Sequence, residues 1–225
     1  MELTPRLKLV YGMLGGGDTL IDVGTDHAYL PIKLVADGKY SRAVASDIAK
    51  GPLASARENI AAAGLDGKIE TALSDGFESV ALPDGGFSVA VCGMGGEMIA
   101  SVLSSSEEIS RRAKLLVLQP MTKDEKLREY LWKNGFEILE ERAASEGEKV
   151  YIAMAAHYTG ERVEYTEEEL YVGKADALAP SDDMERRLEK IFDRYTKIWR
   201  ASGEEKYHFL AEAAKDVLEL LRRKR

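Results

Sequence analysis

Three carboxylates stand at the ends of three short runs rich in apolar and β-branched residues: Asp22 in TLIDVG (19–24), Asp47 in AVASDI (43–48) and Asp75 in IETALSD (69–75). A fourth run, FSVAVCGM (87–94), leads into Gly93-Met94-Gly95-Gly96. Runs of this kind read as buried strands, so the acids and glycines fall at strand ends. In α/β nucleotide-binding folds the loop after the first strand receives the ligand, and an acid after the second accepts hydrogen bonds from ribose hydroxyls. Asp47 has that second place. Asp75, followed by Gly76, is set to reach an adenine amino group. The glycines after the fourth strand allow backbone to come close to a cofactor or a base.

The first of these loops narrows the cofactor. Between Asp22 and Ala28 the only glycine is Gly24, and Asp26 adds a second acid. A pyrophosphate cofactor uses G-x-G-x-x-G so that the backbone can approach it, and Asp22 and Asp26 would repel it. S-adenosylmethionine has no phosphate. It carries a sulfonium and an amino group, which acids favour. Read alone, the loop also fits a plain strand-to-helix turn with Asp26 as N-cap, and each acid alone fits a helix cap. Three acids at successive strand ends on one sheet edge are harder to explain as caps.

The elements that must position these residues follow from pattern and punctuation. Thr4 and Pro5 open a first helix that ends at Gly15-Gly16-Gly17. Helices are predicted over 28–38, from Pro52 to Ala63, near 96–104 and over 123–134, with a fifth strand at KLLVLQP (114–120). FEILEER (136–142) and KVYIAMAA (149–156) come without a helix between them and read as a closing hairpin. Alternating strands and helices imply a parallel sheet. Seven strands, the last reversed, give the fold class: α/β, a Rossmann-like methyltransferase layout, not that of the dinucleotide dehydrogenases.

After His157 the pattern changes, placing a boundary between a domain of residues 1–157 and one of 158–225. TEEE (166–169) starts a short capped helix, and Pro180 with Asp182-x-x-Glu185 starts a longer one. Met184, Leu188, Ile191, Tyr195 and Ile198 form one heptad-like stripe; Tyr207, Leu210, Ala214, Val217 and Leu221 form another beyond Ser202-Gly203. The expectation is an antiparallel, coiled-coil-like helical hairpin. Opposite the first stripe lie Arg186, Arg187, Lys190, Arg194, Lys197 and Arg200, six cations against the three acids of 184–200. Arg222, Arg223, Lys224 and Arg225 extend the basic character.

The bulk composition sets outer bounds. The chain has 225 residues, 45% apolar and 31% charged, with a formal charge of −8. A globular chain of one α/β domain plus an appendage fits. No apolar run is long enough for a membrane span, and MELTPRLKLV has no signal-peptide core. The single cysteine, Cys92, rules out an internal disulfide and a cysteine-rich metal site. A cytoplasmic protein, monomeric and without metal, is expected. The net acidity argues against nucleic acid, but the strip on 186–200 can still offer RNA a positive face. A solvated charged helix is the plainer alternative.

Asp22-Val23-Gly24-Thr25-Asp26-His27-Ala28-Tyr29-Leu30-Pro31, Ala45-Ser46-Asp47-Ile48, Ser74-Asp75-Gly76, Cys92-Gly93-Met94-Gly95-Gly96 and Leu118-Gln119-Pro120 together resemble the bacterial TrmK-type tRNA adenine-N1 methyltransferases. The resemblance covers nearly the whole chain, helical hairpin included. It implies a class I methyltransferase domain, a C-terminal helical domain and methylation of N1 of adenine 22 in the tRNA D-arm from S-adenosylmethionine. It implies that Asp22, Gly24, Asp47, Ile48, Asp75, Gly93, Met94 and Gly95 bind the cofactor, with Thr25 and Gly76 beside them. It also implies that Asp26, His27 and Tyr29 face the base. Arg6 is a further candidate for RNA or for the cofactor carboxylate. Competing readings are a methyltransferase for a small molecule or protein, a nicotinamide-dependent oxidoreductase, which the single-glycine loop disfavours, and a catalytically silent adaptor docking through its hairpin.

Overall fold

The computed structural model describes residues 2–224. Its centre is a seven-stranded sheet of β1 (Gly17–Val23), β2 (Tyr40–Asp47), β3 (Ile69–Leu73), β4 (Phe87–Gly95), β5 (Leu115–Thr122), β6 (Phe136–Glu146) and β7 (Lys149–Tyr158). The strand order is β3-β2-β1-β4-β5-β7-β6. β7 runs antiparallel to both β5 and β6, so the second strand of the terminal hairpin slots in between β5 and β6. The order reverses between β1 and β4, which opens a crevice at their carboxyl ends.

Alternation along each strand builds the two helical layers. Leu20, Ala90 and Val117 face α1 (Pro5–Met13), α2 (Tyr29–Ala36) and α3 (Lys50–Ala62) in one core. Ile21, Val23, Val89, Val91, Leu116 and Leu118 face the opposite core, with α4 (Gly96–Ser105) and α6 (Asp124–Lys133). Successive side chains of a strand point to opposite faces, and each fully buried Leu, Ile or Val contributes about 1.5–3 kcal/mol. Thr4 caps α1 by accepting from the Leu7 amide, with Pro5 in the first turn. The short α5 (Glu107–Arg112) has no apolar period to announce it and draws on two i,i+4 ion pairs, Arg111–Glu107 and Arg112–Glu108.

The C-terminal segment begins with α7 (Glu167–Val172), closed by the Thr166–Glu169 capping box. Ser181 then caps α8 (Asp182–Ser202), Gly203 ends it with φ 71°, and α9 (Glu205–Lys224) returns beside it. The root of this hairpin is fused to the sheet's second core: Met184, Leu188, Ala214, Leu218 and Leu221 share it with Leu131 and Met154. Farther out, Tyr195, Leu210 and Ala211 close a small core of their own. The expected division at 157/158 falls at the last residues of β7.

An ionic knot ties hairpin to sheet. Fully buried Arg128 donates to both carboxylate oxygens of Glu141, at 2.9 and 2.7 Å, to Asp124 at 2.8 Å and to the Leu170 carbonyl at 2.6 Å. Arg187 of α8 reaches the same Asp124 carboxylate at 2.5 Å. Burial works against the charge on Asp124, yet Arg187 and Arg128 together hold its carboxyl below the usual range.

Candidate functional site

Asp22 shares the face of Leu20 on β1 and is almost completely buried at its carboxyl end. The Thr25 hydroxyl donates to it at 2.6 Å. Burial pushes the Asp22 carboxyl up to about 6; the Thr25 hydrogen bond opposes this and the charge of Asp47 adds to it. The turn that follows is tied to β2, where the amides of Gly24 and Thr25 both donate to the Ser46 carbonyl, each at 2.9 Å. Both amides are therefore spent inside the protein. A phosphate at this turn would find those two amides already taken and a buried acid beside them. Gly24 has φ 75°, and a Cβ on it would lie 2.3 Å from the Met94 methyl carbon, which explains the single glycine of the loop.

The next turn is strained. Asp26 and Ala28 both have left-handed backbone, with φ 47° and 56°, although neither is glycine. Such residues cost of order 1–3 kcal/mol each and persist only where the surroundings hold them. Between them His27 stacks on Tyr29, centroids 5.1 Å apart and planes 16° from parallel. Asp26 Oδ1 lies 3.7 Å from His27 Nε2. Both Asp26 and Tyr29 are exposed, and Asn59 of α3 donates to the His27 carbonyl at 3.0 Å.

Across the crevice, the end of β4 and the start of α1 meet at Gln119 of β5. This glutamine is fully buried. Its Oε1 accepts from the Gly93 amide and from Arg6 Nη1, each at 3.2 Å, and its Nε2 donates to the Pro120 carbonyl at 2.8 Å. Arg6 Nε is buried without a hydrogen-bond partner. The open cleft of about 360 Å³ is lined by Arg6, Asp22, Gly24, Thr25, Asp26, His27, Tyr29 and Gly93, together with Thr4, Leu7, Leu30 and Cys92. Burial, with the Asp22 charge adding and Arg6 opposing, pushes the Cys92 thiol well up. It stays a neutral wall and not a nucleophile.

Several expected residues sit beside this cleft without lining it. Asp47 ends β2 and accepts from the Ala49 amide through one oxygen at 2.8 Å. Ile48 is 67% exposed, an apolar surface next to Asp47. Asp75 is exposed, while Gly76 packs against Val102 and Ser105 of α4. Met94 reaches over Gly24, and Gly95 is the N-cap of α4. Thus Asp75, Asp47, Asp22 and Gly93 do line up along one sheet edge, in the strand order β3-β2-β1-β4.

The cations of α8 divide by environment. Arg187 is turned inward onto Asp124, with 14% of its side chain exposed, and so departs from the expected outer strip. Arg186 pairs with Glu148 at 3.3 Å, and the Lys190 ammonium donates to the Glu148 carbonyl at 2.5 Å. Arg194 lies over the Tyr195 ring and is exposed, as are Lys197 and Arg200. Arg222 of α9 pairs across the hairpin with Glu185 at 3.0 Å and Glu189 at 2.6 Å. Two of the acids on α8 are thereby taken up by α9. Arg225 lies outside the described residues. Sequence reasoning gives Gln119 no role beyond its place in the Leu118-Gln119-Pro120 motif and does not single out Asn59 at all. A polar residue inside LLVLQP is the signal for Gln119; nothing in the sequence marks Asn59.

Comparison with known proteins agrees with this geometry. The family model described as "Methyltransferase domain" matches residues 3–154. The tRNA (adenine(22)-N(1))-methyltransferase of Bacillus subtilis is 32% identical over 156 residues, 69% of this chain and 65% of that protein. The match thus spans just under two thirds of that relative's length. The structure of Streptococcus pneumoniae Sp1610 in complex with S-adenosyl-L-methionine is similar with a TM-score of 0.85, at 28% identity over 96% of this chain and 100% of that one. The crystal structure of the B. subtilis m1A22 tRNA methyltransferase TrmK gives 0.77 at 26% identity, over 99% of this chain and 98% of that one. With an acid-lined cleft at the switch point of a seven-stranded mixed sheet, the chain belongs to the methyltransferase-domain family.

Proposed function

We propose that this protein methylates N1 of adenine 22 in tRNA, with S-adenosylmethionine as methyl donor. The observation that carries the reading is the loop at 22–28, where the Gly24 and Thr25 amides are spent on the Ser46 carbonyl beside the buried carboxylate of Asp22. The donor set fits the cofactor: Asp22 for a cationic group, Asp47 for ribose hydroxyls, Asp75 and the apolar Ile48 for adenine, and the backbone from Gly93 to Gly95, with Met94, as a wall. When bound, that cofactor supplies an electrophilic methyl group.

The protein's own contribution is alignment and charge. Adenine N1 carries a lone pair once the base is unpaired, so it needs no base catalyst. Holding nucleophile and methyl carbon in line supplies most of the rate. Positive charge then grows on the purine, and Asp26, exposed at the cleft, stabilises it. His27 and Tyr29, already stacked on each other, give an extruded adenine a platform and hydrogen-bonding edge. Arg6 stands at the rim. Arg186, Lys190, Arg194, Lys197 and Arg200 hold the tRNA along α8, with Arg187 fixing that helix to α6. The protein acts as a cytoplasmic monomer, its domains divided near 157/158.

The test is incubation with labelled S-adenosylmethionine and an unmodified tRNA transcript, followed by nucleoside analysis. The expected product is 1-methyladenosine, lost when adenine 22 is replaced by guanosine. Label in protein or a small molecule, or no label at all, refutes the reading.

A further inference from the structure

We infer that Asn59 is a positioning residue that sets the base-facing loop in its working shape; the inference rests on the tRNA methyltransferase reading above. The loop holds two left-handed residues, Asp26 and Ala28, with no glycine to accept that backbone. Its internal bonds are few: the Ala28 amide donates to the Thr25 carbonyl and Ile32 to the Ala28 carbonyl. Among the described residues, one hydrogen bond reaches residues 26–28 from outside the segment 25–32, and it is Asn59 Nδ2 to the His27 carbonyl, 3.0 Å.

That carbonyl lies between the two strained residues. The peptide plane it belongs to joins His27 to Ala28, so fixing it sets where the His27 ring and the following Tyr29 ring point. It also limits the turn that presents the Asp26 carboxylate. Asn59 itself makes no hydrogen bond to Asp22, Asp47 or Gly93 among the described residues. Its effect therefore falls on the base side of the cleft and not on the cofactor side. A structural asparagine that merely satisfies a helix surface would show no such split.

The experiment compares the parent with Asn59→Ala and Asn59→Asp in single-turnover methylation of tRNA at saturating cofactor. Aspartate keeps the shape but presents a second oxygen to the carbonyl. Both variants should lose about 10- to 100-fold in the transfer step, the scale set by small misplacements of reacting groups. S-adenosylhomocysteine affinity should stay within about twofold, because the cofactor acids are untouched. Adding Ala28→Gly to Asn59→Ala should restore part of the rate, since glycine adopts left-handed backbone without strain.

An Asn59→Ala variant with the parent's single-turnover rate overturns the assignment. So does one whose rate falls together with cofactor affinity and melting temperature, which marks general loosening. Amide hydrogen exchange keeps the two readings apart. If the parent makes no 1-methyladenosine, the functional reading fails, while faster exchange at residues 26–28 in Asn59→Ala still reports the pin and unchanged exchange refutes it.

Discussion

Replacing Asp22 by asparagine should make the cofactor-free protein more stable and a worse cofactor binder at once. The carboxyl is driven up to about 6 chiefly by burial. An unfolded aspartate titrates near 3.9, and each unit of difference is worth 1.36 kcal/mol. The folded chain therefore binds more protons than the unfolded chain between about pH 4 and pH 6. Raising the pH through that window removes stability, and above about pH 6 the full cost, roughly 3 kcal/mol, is present. Asparagine carries no charge to desolvate and still offers Thr25 an acceptor oxygen. A gain of about 1–3 kcal/mol at pH 7.5 follows, or about 3–9 °C in melting temperature for a chain of this size. At pH 4 the two proteins should melt together. Losing a charge-assisted hydrogen bond, about 1.5–3 kcal/mol, should weaken S-adenosylmethionine binding about 10- to 100-fold by calorimetry. A variant that melts at or below the parent at pH 7.5, or that binds the cofactor as tightly as the parent, would refute the argument from buried charge.

The same group should give the parent a pH-dependent affinity: with a carboxyl near 6 that must ionise to bind a cation, S-adenosylmethionine should bind roughly tenfold more weakly at pH 5 than at pH 7, and Asp22→Asn should flatten that profile. Glu141→Gln leaves the buried Arg128 guanidinium short of its paired charge and should cost about 3–5 kcal/mol in denaturant unfolding; a loss under about 1 kcal/mol would show the knot to be dispensable. Gly24→Ala combines φ 75° with a clash on Met94 and should cost about 1–3 kcal/mol, with weakened cofactor binding, both read by calorimetry. Replacing Lys190, Arg194, Lys197 and Arg200 with glutamine should leave folding and cofactor binding intact while tRNA affinity falls. The slope of log K against log salt should flatten by up to ~0.9 for each duplex phosphate that is no longer neutralised; an unchanged slope would make this face plain solvated surface.

Period and punctuation carry the fold into the sequence. β1, β4 and β5 alternate so regularly between two apolar layers that their runs announce themselves. The acids Asp22, Asp47 and Asp75 can be placed on one edge because a parallel sheet puts all its strand ends together. The antiparallel placement of β7 between β5 and β6 is less legible, since a hairpin's sequence does not say which of its strands enters the sheet. α5 escapes sequence reading because six residues held by ion pairs have no periodic apolar face. Arg187 departs from the outer strip for a related reason. Helical phase puts it among cations, but only the fold brings Asp124 to it from 63 positions away.

What escapes sequence reasoning at the site is the supporting shell, and it does so for one physical cause. Asn59 and Gln119 act through a carbonyl and an amide, groups every residue but proline possesses, so no side-chain pattern at 27 or 93 points to them. The charge question is hidden in the same way. A net charge of −8 counts Glu185 and Glu189 against α8, yet both are met by Arg222 from the returning helix. The exposed cations Arg194, Lys197 and Arg200 then face solvent without those two acids as competitors, and an acidic protein retains a local surface on which a polyanion can lie. Net charge describes how the chain behaves at long range, but within a Debye length of about 8–10 Å it is the pairing inside the fold that decides which partner is attracted.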